Sequence, residues 1–93
     1  MFATKPLRKL DAPLRARVIA GERQNRLVEI TVECHDGGED EVAEAIRNIG
    51  GVVLDVIPTF HIVAAEVRIG SILKLATMRK VREVNLARNY MPA

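Results

Sequence analysis

Five side chains of the kind that build hydrolytic sites, Ser71, His35, His61, Asp36 and Asp55, are spread along this 93-residue chain. A serine nucleophile needs a base within hydrogen-bond reach and a tight turn that exposes its hydroxyl. Ser71 stands in Ile69-Gly70-Ser71-Ile72-Leu73, without a Gly-x-Ser-x-Gly elbow, and reads instead as the N-cap of a following helix. The run Cys34-His35-Asp36 has metal-ligand types, but adjacent strand residues point to opposite faces, and His61 is a lone distant partner. A single cysteine excludes an intrachain disulfide and any Cys-x-x-Cys site. The chain is therefore read as a non-enzyme with no catalytic residues, no metal and no cofactor.

Composition narrows the remaining classes. At 48% apolar and 28% charged the chain is an ordinary globular domain, with a core built of Val, Ile, Leu and Ala because only Phe2, Phe60 and Tyr90 are aromatic. Net charge is +2, but it is sorted: residues 1–26 hold seven bases against two acids, residues 33–44 six acids and no Lys or Arg, and residues 68–88 six bases against one acid. An RNA-binding sheet stacks bases on aromatics of its first and third strands, and residues 27–33 and 62–67 have none, so no nucleic-acid partner is expected. No stretch of eighteen apolar residues exists and no leader segment precedes the domain, so the chain as written reads as cytoplasmic with no membrane partner, its location being open if it is excised from a secreted precursor.

These residues must be positioned by elements that the pattern indicates one by one. Asp11, followed by Pro13, opens a short helix over residues 11–20, with Leu14 and Val18 on its apolar side and Gly21 at its end. Residues 27–33 alternate strictly, Val28, Ile30 and Val32 against Glu29, Thr31 and Glu33, which makes a half-solvated strand. His35-Asp36-Gly37-Gly38 is a turn, and Glu39, Asp40 and Glu41 place acid in the first turn of a helix whose Val42, Ala45, Ile46 and Ile49 share a face. Gly50-Gly51 ends that helix and reverses the chain into two β-branched runs, residues 52–57 and 62–67, joined by Pro58-Thr59-Phe60-His61. A second helix over residues 72–79 and a strand over residues 81–86 complete the order. The predicted fold class is α+β: a ferredoxin-like βαββαβ sandwich, strand order 4-1-3-2, two helices on one face of a four-stranded antiparallel sheet, with an extra short N-terminal helix. Its parts are residues 1–26, a basic extension with the short helix; residues 27–86, the domain; and residues 87–93, an extended tail.

The second and third strands are apolar on both sides, and this topology has no helix to cover the second face. Val53, Ile57, Ile62 and Ala64 are assigned to that open face, as a surface for a partner or for a homodimer.

The succession Lys9-Leu10-Asp11, Leu14-Arg15, residues 27–33, Gly50-Gly51-Val52-Val53, Ile62-Val63-Ala64-Ala65-Glu66-Val67, residues 73–75 and Val81-Arg82-Glu83-Val84 resembles the N-terminal propeptides of subtilisin-like serine proteases over nearly the whole chain. The resemblance implies a domain that inhibits such a protease and assists its folding. It implies that the sheet face of Val53, Ile57, Ile62 and Ala64 docks on the protease, and that Tyr90, Met91, Pro92 and Ala93 fill the fourth to first subsites of the cleft as a cleaved product would. Tyr at the fourth position, Pro at the second and Ala at the first suit that specificity. The family often also places acids beside the turn between the second and third strands to cap protease helices, and here the chain departs from it, with only Asp55 near a neutral Pro58-Thr59-Phe60-His61 turn. No protease domain follows Ala93 as the chain is written, which leaves an isolated propeptide or a stand-alone inhibitor acting in trans, and Met1 with the absence of a signal segment favours the second. The alternative with the same element order is an ACT-type module that binds amino acids, whose glycine-bearing turn would be Asp36-Gly37-Gly38.

Overall fold

The computed structural model describes residues 4–21 and 25–87. Two short helices come first, α1 (Thr4–Arg8) and α2 (Ala12–Ile19), then β1 (Leu27–Cys34), α3 (Glu39–Asn48), β2 (Val52–Ile57), β3 (Ile62–Arg68), α4 (Ile72–Ala76) and β4 (Val81–Leu86). The strands form one antiparallel sheet in the order β2-β3-β1-β4, the ferredoxin-like arrangement that the pattern predicts. Alternation in β1 sends Val28, Ile30 and Val32 into a core shared with Val63, Ala65 and Val67 of β3, and with Val42 and Ile46 of α3.

The junction of α3 and β2 rests on two glycines with different tasks. Gly50 takes φ 83°, and its N–H reaches the Arg47 carbonyl while the Gly51 N–H reaches that of Ile46 at 2.8 Å, a Schellman end to the helix. Gly51 is needed for space: a Cβ there would stand 2.8 Å from Ile46 Cγ2 and 2.9 Å from Val67 Cγ1.

The N-terminal segment is tied into the sheet. Asp11 caps α2, accepting from the Leu14 amide at 3.0 Å, and its other carboxylate oxygen accepts from the Leu86 amide at 2.9 Å. Leu10 forms a parallel bridge with Val84, and Leu10 and Leu14 are both core residues. The outer edge of β4 is thus closed by the chain itself.

One element is added to the expected order and two expectations are corrected. Residues 1–10 show no helical period, yet residues 4–8 form α1, stabilised by the packing of Leu7 against the core rather than by local propensity. The second helix stops at Ala76 instead of Arg79, where the Thr77 hydroxyl donates to the Lys74 carbonyl at 2.6 Å and the chain turns toward β4. Ser71 makes no capping bond with its side chain; it ends a 3-10 turn, Ile69–Ser71, that leads directly into α4.

Candidate functional site

The sheet face opposite the helices is built by the residues that alternate with the core positions. From β1 come Leu27, Glu29, Thr31 and Glu33, and from β3 come Ile62, Ala64, Glu66 and Arg68, since Val28, Val32, Val63 and Val67 point the other way. Ile57 pairs with Ile62, Asp55 with Ala64 and Val52 with Glu66, which puts these three residues of β2 on the same face. Ile57, Ile62 and Ala64 therefore share a half-buried apolar strip on the open face; Val52, 55% exposed, lies beyond Asp55 and opposite Glu66.

Val53 does not belong to this strip. The β2–β3 register shifts between Val53 and Asp55, so that Leu54 is inserted as a bulge and Val53 pairs with Ala65, on the helix side. It packs against the core together with Val56. In a regular strand Val53 and Ile57, four residues apart, would share a face; the extra residue separates them. Tyr90, Met91, Pro92 and Ala93 lie outside the described residues.

Register also assembles a feature that no local pattern contains. Glu29 stands opposite Glu66, and Glu33 opposite Glu83, so like charges face each other across both ladders of β1. Such pairs are destabilising in an isolated sheet. Asn85 Nδ2 donates to Glu33 at 3.3 Å, but none of the four carboxylates has an ion-pair partner among the described residues. The open face thus carries an apolar strip at the Ile57–Ile62 end, bordered by the acids Asp55 of β2, Glu66 of β3, Glu29 and Glu33 of β1 and Glu83 of β4, with Arg68 of β3 at the far end.

At one end of the sheet, the turn after β2 meets the start of α3. His61 has φ 55°, in the left-handed region that few side chains adopt, and its Nδ1 is hydrogen-bonded to the Glu39 carboxylate while Nε2 lies 3.7 Å from Asp36. The Cys34 amide donates to the His61 carbonyl at 2.7 Å, joining the same turn to the end of β1. Two carboxylates distant in sequence are thereby brought to the turn that contains Phe60, 69% exposed. His35, Lys80 and Arg82 line the adjoining depression. The Cys34 thiol is pushed up to about 11 by burial and by the charge of Glu39, so it is protonated at neutral pH and is a poor nucleophile. Ser71 lies elsewhere, at the start of α4. Among the described residues no group of three or more His, Cys, Asp or Glu is placed to hold a metal, and no helix is long and apolar enough to cross a membrane.

No protein-family model matches the chain, and no curated protein matches it. The open face and the His61 turn are therefore interpreted on their own chemistry.

The Glu39–His61 contact has a signed pH consequence. The hydrogen bond from His61 lowers the Glu39 pKa, assisted by the helix's own amide. A folded-state pKa held below the unfolded one contributes stability that is complete above the unfolded value, here 4.5, and is lost as pH falls through the folded one. Glu39→Gln should accordingly be less stable than the parent near neutral pH, with the gap between their urea midpoints closing as the pH falls below the ordinary carboxylate range and through the lowered folded-state value. A gap of constant size from neutral to acid pH would show that the ionised carboxylate contributes nothing to the clamp.

Proposed function

We propose that the chain is a propeptide-like inhibitor of a subtilisin-like serine protease, with the open sheet face docking on the protease and the C-terminal tail in the substrate cleft. The observation that carries this reading is the apolar strip of Ile57, Ile62 and Ala64, half-buried on the sheet face opposite the core, with no described helix over it. A strip of this kind is retained on a soluble domain when another surface covers it. The fold agrees with the one that the sequence resemblance implies, which supports the reading, and the proposed docking surface is Ile57, Ile62 and Ala64 without Val53. The same contact supports a role in assisting the protease to fold, because a domain that binds the native protease and not its unfolded chain stabilises the native state by mass action.

The facing carboxylates of β1, β3 and β4 add a condition on the partner. A surface laid over Glu29, Glu66, Glu33 and Glu83 has to offer cations or helix N-termini, since desolvating an unpaired carboxylate costs several kcal/mol. Their sum also disfavours a homodimer through this face, in which two sets of these carboxylates would be brought together.

The test is an inhibition assay on a broad-specificity subtilisin with three proteins: the full chain, a chain ending at Arg88, and the full chain with Ile62→Glu. The full chain should inhibit. The shortened chain should bind without inhibiting, and Ile62→Glu should keep its circular dichroism spectrum and lose binding. Absence of inhibition by the full chain, at concentrations where it is folded, would overturn the reading.

A further inference from the structure

The two edges of the sheet are treated differently by the chain. The β4 edge is closed by the Leu10 bridge and by Asp11, which takes the Leu86 amide. The β2 edge has no such cover among the described residues, and its sequence, Val52 to Ile57, contains neither Lys nor Pro, the residues that most often protect a free edge. Leu54 at the bulge is 51% exposed and Val52 is 55% exposed. The bulge and the Asp55 carboxylate, which accepts from the Val56 amide at 2.9 Å, blunt the edge without closing it.

We propose that β2 is a self-association edge: two copies pair β2 with β2, antiparallel, about a two-fold axis through the middle of the strand. The occupant is identified by charge on the helix above. Helix α3 packs over β2 and β3, and its Ala45, Asn48 and Ile49 line the groove toward α4. At 3.6 residues per turn, Asp40 and Arg47 then stand on the opposite flank, above the β2 edge, about 10 Å apart along the axis. Both are exposed, and neither has an ion-pair partner among the described residues. Helix α3 runs antiparallel to β2, so the axis through the strand's middle also passes near the middle of the helix. It sets Asp40 of each copy against Arg47 of the other, at both ends.

The spacing agrees. Strands pair about 4.8 Å apart, and a helix seated between β2 and β3 lies about 2.4 Å inside the edge strand, which brings the two α3 axes to about 10 Å, an ordinary helix-packing distance. A ladder of six residues interrupted by a bulge is short, so the association is weak and concentration-dependent, with a dissociation constant in the micromolar range. Both open faces stay free in this dimer, and the inference does not depend on the protease reading.

Sedimentation equilibrium of the full chain between about 5 and 500 μM tests it, the range that brackets a micromolar constant. The expected result is a mass rising from monomer to dimer. Arg47→Asp should raise the dissociation constant about tenfold or more, replacing two attractive contacts by two repulsive ones. The double reversal Asp40→Arg with Arg47→Asp should restore it, Leu54→Lys should abolish association, and Ile62→Glu should leave it intact. A monomer over the whole range, a dimer indifferent to Arg47→Asp, or one lost on Ile62→Glu would overturn the proposal.

Discussion

Ile46→Ala lowers the unfolding free energy by about 2 to 5 kcal/mol, measured by urea denaturation, the range for removing a large aliphatic side chain from a closed core. Ile46 is fully buried, and its Cγ2 is among the atoms that would lie within 3 Å of a Cβ at Gly51. The site cannot collapse easily to fill the cavity. The helix is pinned on its far side by the Schellman bonds to Gly50 and Gly51, and β3 is held between two strands. The loss therefore falls in the upper part of the range, a large share of what a domain of this size has. A change below about 1 kcal/mol would place this helix face outside the core and undo the layering that leaves the opposite sheet face open.

What the sequence conveys about this molecule is local, and what it hides depends on register. Strict alternation in residues 27–33 defines β1 because a half-buried strand has period two, and every predicted core position there is buried. Gly50-Gly51 marks the end of α3 for a stereochemical reason that any sequence displays. The bulge at Leu54 has no such mark: Val52-Val53-Leu54-Asp55-Val56-Ile57 is uniformly strand-like, so the shift that sends Val53 to the helix side is decided by pairing with β3. The facing of Glu29 with Glu66 and of Glu33 with Glu83 is equally non-local. Glu29 and Glu33 are legible as solvent-facing, but their opposite numbers follow only from the ladders. The contact of His61 with Glu39 joins residues twenty-two apart. It could have been anticipated only from the four-residue hairpin connection lying beside the acidic start of α3.

These differences bear on how binding and inhibition would divide in the proposed inhibitor. The open face offers area and charge but no group that reaches a catalytic centre, because its apolar residues are embedded in the sheet. A rigid face of this kind supplies affinity, while a segment able to enter a cleft has to come from a terminus. Residues 87–93 follow directly on β4, whose last strand residue is Leu86.

Tyr90→Ala should weaken inhibition of a subtilisin about 30-fold to 1,000-fold, equivalent to about 2 to 4 kcal/mol. The proposal places Tyr90 in the fourth subsite, where an aromatic ring is desolvated in a closed pocket, the commonest chemistry of an interface hot spot. Extended backbone on either side adds as a strand to the cleft, and the side-chain pockets then set specificity. Pro92 acts differently: it holds the chain extended before the scissile position and reduces the ordering cost, so Pro92→Ala should cost nearer 1 kcal/mol. The ratio of the two effects is therefore the informative quantity, read from inhibition constants at fixed protease concentration. Tyr90→Phe should retain most of the inhibition, since the ring carries the burial. If Tyr90→Ala and the full chain inhibit equally, the tail does not occupy the cleft, and whatever inhibition exists comes from the sheet face. Ile62→Glu then separates the possibilities: it should remove binding by the face while lowering the domain's own stability by less than about 1 kcal/mol, the scale of placing one more carboxylate across from Glu33.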